Sequence, residues 1–273
     1  MSFLETEEGL RLHYEDGGSG PPLLFIHGWT MSGRVWRFQT EALLPHYRPV
    51  TLDLRGHGLS SPAAAYTLDL LAADVASLAR FLDLRGACLV GWSLGAQVAL
   101  RSFPLLRERI AGLVLVGGTP RFTAGDGYPH GLPPREVRGM AARLSRDFPR
   151  TLGEFFRAMF APGELGREEE NRIAREIVMG GRVPEPAVAL ATLATLAETD
   201  LRGELPGVDR PVLLIHGGAD PICLPAASRA MAELLPDARL AELSGLGHAP
   251  FLSRPSLFTE LLRGFLKELH EGR

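Results

Sequence analysis

The chain has 273 residues, a formal net charge of −3 and 45% hydrophobic residues, which suits one α/β domain with an insertion better than two independent domains. The slightly negative charge argues against broad nucleic-acid binding. No apolar run reaches the roughly 20 residues that cross a bilayer, and the N-terminal residues lack a secretory pattern. We therefore predict a cytoplasmic protein with no nucleic-acid or membrane partner. Cys88 in an apolar strand and Cys223 on a distant loop predict no disulfide.

Before residue 120 the apolar pattern alternates between short strands and helices. Period-two or continuous apolar runs predict strands, and apolar residues three or four apart predict helices. In chain order the pattern predicts a hairpin over residues 2–16, a strand over 23–26, a helix over 32–44, a strand over 49–54, a helix over 68–82, a strand beginning at Cys88 with a helix directly after it, and a strand over 110–116.

From about residue 121 to 197 the pattern changes, and no segment predicts a strand. Amphipathic windows there predict helices over 135–148, 152–160, 168–179 and 186–198. Alternation then resumes, with strands over 211–215 and 238–243 and helices over 225–235 and 256–269.

This alternation predicts an α/β fold with a mostly parallel sheet covered by helices on both faces. We expect the core to comprise residues 1–120 and 198–273. Residues 121–197 would then form an all-helical lid, inserted after the sixth strand.

The run Gly91-Trp-Ser-Leu-Gly95 joins the strand from Cys88 to the helix after it. Gly91 and Gly95 flank a turn in which a side chain would clash, so the backbone can hold Ser93 in a strained conformation with its hydroxyl exposed. Leu94 then offers its N–H at a helix start, where donors are unpaired and the dipole favours an anion. A plain helix N-cap at Ser93 is the alternative, and the rest of the chain decides between the two.

A serine hydroxyl is a strong nucleophile only when a base takes its proton and an acid orients that base. Sites in open α/β sheets form beyond the carboxyl ends of strands. Asp220 follows the strand over 211–215, and His248 follows the strand over 238–243. Singly, Asp220 before a proline suits a turn, and His248 among glycines suits a loop. In the order Ser93, Asp220, His248 they predict a catalytic triad.

An acyl-transfer site also needs two backbone donors for the developing oxyanion. Leu94 supplies one, and we expect the Trp29 N–H to supply the other, because His27-Gly28-Trp29 follows the strand over 23–26. The alternative is a simple turn that ends the strand. His57 competes for the role of base, but the base is expected after the last strand, so we predict that His57 holds its own loop together.

Several segments together resemble the α/β-hydrolase superfamily over nearly the whole chain. They are His27-Gly-Trp29, Asp53-Leu-Arg-Gly-His-Gly-Leu-Ser60, Gly91-Trp-Ser-Leu-Gly95, Gly218-Ala-Asp220 and Gly247-His-Ala-Pro-Phe251. Within that superfamily, a second set resembles the pimeloyl-acyl-carrier-protein methyl ester esterases of biotin synthesis. It comprises Trp29, Gly91–Gly95, the lid run Leu144–Phe156 and the run His248–Pro255. The resemblance implies hydrolysis of the methyl ester of a pimeloyl chain carried on acyl-carrier protein.

The resemblance also implies where the acyl chain binds. The implied substrate-binding residues are Trp29, Ser93, Leu94 and His248 together with the lid residues Phe155, Phe156, Arg157, Ala158 and Met159. An apolar lid face over Ser93 suits a medium-length acyl chain. The same aromatic residues also suit plain packing of the lid onto the core.

An acidic carrier protein needs a cationic docking face, for which Arg146, Arg150 and Arg167 are candidates. Residues 135–182 hold ten Arg against eight Asp or Glu, a net charge of +2. A mixed solvated surface explains that balance equally well. The sequence departs from the family pattern at Glu154, where the resemblance implies an arginine on the carrier-protein face.

Together these residues predict a serine carboxylesterase that acts on a small acyl ester. Ser93 attacks the carbonyl, His248 takes its proton, Asp220 orients His248, and the Trp29 and Leu94 amides bind the oxyanion. We expect a monomer that needs no metal and no organic cofactor. The same machinery serves a general short-chain esterase, a carbon–carbon bond hydrolase or a perhydrolase. A non-catalytic receptor of this fold, with a small ligand in the lidded pocket, is a further alternative.

Overall fold

The computed structural model describes residues 2–178 and 182–271. Its strands are β1 (Ser2–Glu5), β2 (Arg11–Asp16), β3 (Pro22–Ile26), β4 (Arg48–Leu52), β5 (Ala87–Trp92), β6 (Ile110–Val116), β7 (Val212–Gly217) and β8 (Ala238–Leu243). Across the described residues they form one eight-stranded sheet in the order β1-β2-β4-β3-β5-β6-β7-β8. β2 is antiparallel to both of its neighbours, and the other neighbouring strands are parallel. The predicted mostly parallel sheet is confirmed.

Helices cover the sheet and fill the insertion. They are α1 (Arg37–Leu43), α2 (Leu68–Phe81), α3 (Leu94–Leu106), α4 (Pro134–Arg146), α5 (Phe148–Ala158), α6 (Arg167–Ile173), α7 (Pro186–Glu198), α8 (Pro225–Leu234), α9 (Pro250–Ser253) and α10 (Pro255–Glu271). The segment with α4 to α7 follows the sixth strand, as predicted, and contains isolated bridges but no strand in its described residues. We call residues 121–197 the helical insertion.

The buried carboxylate of Asp53 explains why two predicted elements are shorter in the structure. The predicted strand over 49–54 ends at Leu52, and the predicted helix over 32–44 divides into a 3₁₀ turn, Gly33–Trp36, followed by α1. Asp53 Oδ1 accepts the N–H of Gly33 at 2.7 Å. This contact ties the residue after β4 to the start of the turn, so neither element continues through it.

In the insertion, the predicted helix boundaries move because Asp147 interrupts the pattern. Asp147 leaves helical geometry, with φ −150° and ψ 82°, and its carboxylate caps α5 by accepting the N–H of Arg150 at 3.2 Å. The predicted helix over 135–148 therefore ends at Arg146, and the predicted helix over 152–160 begins earlier, at Phe148. The predicted helix over 168–179 is α6 followed by a π-helical turn, Ala174–Val178; Met179 lies outside the described residues.

The hydrophobic core lies on both faces of the central strands. Leu23, Leu24, Phe25 and Ile26 of β3 are fully buried, as expected for a strand of a parallel sheet covered on both sides. Because the parallel strands run in one direction, the loops after β3, β5, β7 and β8 leave the sheet at the same edge. No helix in residues 2–178 and 182–271 is both long enough and apolar enough to span a membrane.

Candidate active site

Ser93 lies at a strained corner between β5 and α3. Its backbone has φ 57° and ψ −116°, a region that a residue with a Cβ rarely occupies. A Cβ on Gly91 would lie 2.2 Å from the carbonyl oxygen of Gly95, and a Cβ on Gly95 would lie 2.3 Å from that of Ile26. The Ser93 N–H donates to Val116 O at the end of β6, at 2.9 Å. The two glycines and this bond hold the serine in its strained conformation.

Asp220 and His248 come together at the same edge of the sheet. His248 Nδ1 lies 2.7 Å from Asp220 Oδ2, and both residues are buried. Asp220 Oδ1 accepts the N–H groups of Ile222 at 2.8 Å and Cys223 at 3.0 Å. Burial raises the pKa of Asp220, but His248, His216 and the hydrogen bonds outweigh burial and lower that pKa to about 2. Asp220 is therefore a carboxylate at neutral pH, and Nδ1 of His248 carries the proton between them.

His216, the fifth residue of β7, is a second imidazole at Asp220. His216 Nε2 lies 2.8 Å from Cys223 O and 3.2 Å from Asp220 Oδ2. Both neighbours are acceptors, so Nε2 carries a proton, and Nδ1 lies 2.5 Å from the Ser228 hydroxyl. His216 therefore helps to fix the carboxylate that orients His248. No group of three or more His, Cys, Asp or Glu side chains is arranged to hold a metal ion in the described parts of the chain.

The link between nucleophile and base is absent from this conformation. His248 Nε2 is buried and makes no hydrogen bond among the described residues, while the Ser93 side chain interacts with the thiol of Cys223 and lowers its pKa, which burial raises. Catalytic hydrogen bonds often form only once substrate is bound. Sequence reasoning missed Cys223, because only the folded loop after β7 brings it to Ser93.

Trp92, the residue before Ser93, connects two of the loops at the site. Its indole Nε1–H donates to His248 O at 2.9 Å, and its ring centroid lies 5.4 Å from that of His248. A Cβ on Gly28 would lie 2.8 Å from the Trp92 ring. The loop after β3 therefore packs on the same indole that holds the loop of His248.

Trp29 and Leu94, the predicted oxyanion donors, lie in the loop after β3 and at the start of α3. Leu94 is the first residue of α3, so its N–H has no acceptor within the helix. Trp29 sits in a turn closed by the bond from Met31 N–H to Gly28 O at 3.3 Å. Neither the Trp29 nor the Leu94 N–H forms a backbone hydrogen bond within the described residues. Both amides are therefore free to bind an anion.

His27 and His57 have structural contacts instead of a place beside Ser93. His27 Nδ1 lies 2.8 Å from Gly28 O, and its Nε2 accepts the Leu54 N–H at 3.0 Å. His57 Nδ1 lies 3.0 Å from Arg55 O, within its own loop. Burial and the neighbouring His27 lower the pKa of His57 to about 3. His57 is thus a buried neutral side chain.

We expect the buried neutral His57 to make the protein sensitive to acid. The pKa of His57 falls from 6.5 to about 3 on folding, so its contribution to stability is complete above pH 6.5 and is lost as the pH falls towards 3. Between about pH 7.5 and 4.5 this loss amounts to about 3 kcal/mol. Urea unfolding at both pH values should show a smaller decrease for His57→Phe than for the wild type. Equal decreases would contradict the assignment.

The predicted acyl-binding residues of α5 fall into different surroundings. The Phe155 ring packs edge-on against Trp29, with the centroids 4.9 Å apart. Phe156 and Arg157 line a cavity of about 510 Å³ between α5, α6 and the residues after Trp29. Met159 is buried, and its carbonyl accepts the His248 N–H at 2.7 Å. Ala158 is exposed and does not line this cavity.

The cavity has a mainly apolar lining but does not include the triad. Its lining residues are Thr30, Met31, Phe148, Pro149, Leu152, Gly153, Phe156, Arg157, Glu170, Asn171, Ala174 and Val183. Ser93, Asp220 and His248 are not among them. Trp29 connects the two regions, because it precedes Thr30 and its indole Nε1–H donates to Ala189 O of α7 at 2.9 Å.

The arginines predicted to dock a carrier protein lie on the surface of the insertion. Arg146 and Arg150 line one depression of about 260 Å³. Arg150 Nε pairs with Glu154 Oε1 at 3.0 Å, so part of the positive charge is neutralised. Arg167 is the exposed first residue of α6.

Comparisons with known proteins agree with this architecture. The sequence profile of the alpha/beta hydrolase family matches residues 23–261. The pimeloyl-[acyl-carrier protein] methyl ester esterase of Nitrosomonas europaea is 38% identical over 250 residues, which cover 90% of this chain and 96% of the relative. The enzyme of that name from Aeromonas hydrophila is 36% identical and covers 91% and 96%. The structure of an esterase from Exiguobacterium antarcticum superposes with a TM-score of 0.91 at 28% identity, covering 97% of this chain and 99% of that one.

Proposed function

This chain belongs to the alpha/beta hydrolase family, and we propose that it hydrolyses the methyl ester of a pimeloyl chain carried on acyl-carrier protein. It is a carboxylic ester hydrolase, as are its relatives. The observation that carries the chemistry is the buried Asp220–His248 pair, with its 2.7 Å hydrogen bond, at the sheet edge where the strained Ser93 corner lies. The proposed substrate is the one that the names of the relatives give for those enzymes.

The proposed reaction begins with a small movement of Ser93. We expect rotation about its Cα–Cβ bond to direct the hydroxyl to His248 Nε2, which has no partner among the described residues. Ser93 Oγ then attacks the ester carbonyl while Nε2 takes the hydroxyl proton, and the Asp220 carboxylate stabilises the resulting imidazolium. The Trp29 and Leu94 amides bind the alkoxide that forms from the carbonyl oxygen.

The acyl-enzyme forms and breaks in two matched steps. When the tetrahedral intermediate collapses, His248 returns the proton to the methoxy oxygen, and methanol leaves. Water then enters, and its oxygen attacks the acyl carbon while His248 takes one of its protons. The new tetrahedral intermediate breaks its bond to Ser93 Oγ, which regains the proton from His248 as the carboxylic acid leaves. Besides the ester, the two steps need only water and the protein groups already named.

The cavity beside Trp29 supports an apolar acyl chain as substrate. Its volume of about 510 Å³ and mainly apolar lining suit a medium-length chain. We propose that the methyl ester lies at Ser93 and that the helical insertion acts as a lid over the chain. In this proposal Trp29 contacts both parts of the substrate: its amide binds the oxyanion, and its ring, which packs on Phe155 of the insertion, borders the acyl chain.

The proposed contact with a carrier protein involves surface arginines of the helical insertion. Arg146 and Arg150 share one depression and Arg167 is exposed on the same insertion, so they remain our candidates for contact with an acidic carrier. The ion pair of Arg150 with Glu154 reduces the charge available there. A monomeric state and a cytoplasmic location stay predictions.

Rescue of a biotin-requiring bacterial strain that lacks its own methyl ester esterase tests this substrate in the cell. We expect the wild-type gene to restore growth without biotin, because the free carboxylate of the pimeloyl chain is then released. The same gene with Ser93→Ala should not restore growth at equal protein abundance. Failure of the wild type, although it hydrolyses p-nitrophenyl butyrate, would favour a general short-chain esterase.

A further inference from the structure

Glu164, in the loop between α5 and α6, is a buried carboxylate that no step of the proposed reaction uses. Its side chain is 7% exposed. Glu164 Oε2 accepts two backbone N–H groups, from Ala161 at 2.6 Å and from Gly247 at 2.8 Å. Glu164 Oε1 accepts the hydroxyl of Ser253. One oxygen thus joins the helical insertion to the residue directly before His248.

Two further contacts tie the same segments together. The His248 N–H donates to Met159 O at 2.7 Å. A Cβ on Gly247 would lie 2.5 Å from that same carbonyl oxygen, so the two backbones are as close as glycine permits. On the far side of the loop, Arg254 donates to the Glu164 carbonyl oxygen at 3.1 Å. The insertion therefore holds the loop of His248 at His248 itself, and the Glu164 side chain adds a bond at the neighbouring residue, Gly247.

The cost of burying a carboxylate argues that these contacts matter. A buried charge is unfavourable unless polar partners compensate it. Glu164 forms no ion pair in the described parts of the chain, where its carboxylate is bound by the two N–H groups and the hydroxyl. Without Glu164, the buried N–H groups of Ala161 and Gly247 would each lose their acceptor, which is also costly.

We propose that Glu164 is a positioning residue for the general base: it holds the backbone at Gly247 so that His248 Nε2 faces Ser93. This inference rests on the proposed roles of Ser93 and His248, and it assigns Glu164 no contact with substrate. His248 itself is also restrained at its ring by Asp220, which binds Nδ1, and at its backbone by Trp92 and Met159. The hydrogen bond from Gly247 N–H to Glu164 restrains the chain just before them.

The test measures kcat and KM for p-nitrophenyl acetate and p-nitrophenyl hexanoate with Glu164→Ala and Glu164→Gln. We expect Glu164→Ala to lower kcat by roughly 10- to 100-fold for both esters, since a small misplacement of a catalytic group has an effect of that order, with little change in KM. Glu164→Gln should retain most of the wild-type kcat. Its amide oxygen can accept both N–H groups, and its NH₂ can donate to the Ser253 hydroxyl.

Two further variants make the outcome decisive. Glu168→Ala changes an exposed glutamate of the same insertion and should behave as the wild type. If Glu164→Ala does not fold, Glu164→Asp replaces it, because its shorter side chain keeps the charge but cannot reach both N–H groups, and the same fall in kcat is expected.

Three results would overturn the inference. They are a folded Glu164→Ala with the wild-type kcat, an effect confined to the KM of the longer ester, or a Glu164→Gln as impaired as Glu164→Ala. Ser93→Ala in the same assay separates this failure from that of the proposed function. If Ser93→Ala is inactive while Glu164→Ala is fully active, only the role of Glu164 is wrong.

Discussion

Ser93→Ala is expected to lower kcat for p-nitrophenyl butyrate by roughly 10⁵- to 10⁶-fold, the size of effect seen when a serine hydrolase loses its nucleophile. The variant keeps Gly91 and Gly95, so the strained corner and the oxyanion amides should remain in place. Only the oxygen that forms the acyl-enzyme is removed. Steady-state hydrolysis by the purified variant, with circular dichroism to verify folding, measures the effect.

A second serine provides the matched control for that experiment. Ser145 is exposed on α4, where its hydroxyl donates to Ala141 O at 3.1 Å, and Ser145→Ala should keep the full wild-type rate. A fluorophosphonate probe should label the wild type and Ser145→Ala at Ser93 but leave Ser93→Ala unlabelled. Full activity of Ser93→Ala would show that the nucleophile has been assigned to the wrong residue.

Asp220→Asn is expected to lower kcat by roughly 10⁴-fold while the protein stays folded. The N–H groups of Ile222 and Cys223 both point at Oδ1, so the amide oxygen must take that position. Its NH₂ group then faces Nδ1 of His248, whose N–H donates to a carboxylate oxygen in the wild type. His248 would shift its proton to Nε2 and could no longer accept one from Ser93.

The control for Asp220→Asn is the same substitution at an aspartate outside the site. Asp237 is exposed before β8, and Asp237→Asn should leave kcat unchanged. Activity of Asp220→Asn within about tenfold of the wild type would contradict the role given to Asp220, because tautomer control is worth far more than that. The p-nitrophenyl butyrate assay at about pH 8 measures both variants.

The fold class and the hydrolase class could be predicted because their signals are local. Alternating strands and helices imply a parallel sheet, and the sheet aligns the ends of β5, β7 and β8. Ser93, Asp220 and His248 each follow one of these strands, so their chain order alone brings them to one edge. The comparisons confirm the family and the ester-hydrolase class, while the roles of the individual residues stay predictions.

Other parts of the site depend on contacts between segments far apart in sequence. Glu164 looks like any glutamate in a polar loop, and nothing near it in the chain indicates the N–H of Gly247, 83 residues away. Cys223 likewise reaches Ser93 only through the loop after β7. His216 did carry a signal, since a histidine at the end of an apolar strand, four residues before the acid, is a candidate partner for that acid.

The insertion shows the same limit for the substrate pocket. The aromatic cluster in α5 indicates an apolar face. It does not indicate which of its residues pack the insertion onto the core and which line the cavity. Phe156 lines the cavity, whereas Met159 contributes its carbonyl to the loop of His248 and Phe155 packs on Trp29. Helical periodicity indicates on which face of the helix a residue lies, but only the packed structure shows which residues it contacts.

We propose that Ser93 cleaves the methyl ester of a carrier-bound pimeloyl chain. The most direct test of this proposal incubates the purified protein with pimeloyl-acyl-carrier-protein methyl ester and follows the intact mass of the carrier. We expect the wild type to remove the methyl group and leave the thioester intact, and we expect Ser93→Ala to leave both in place. A methyl ester unchanged by the wild type, or cleavage of the thioester in its place, would contradict the proposal.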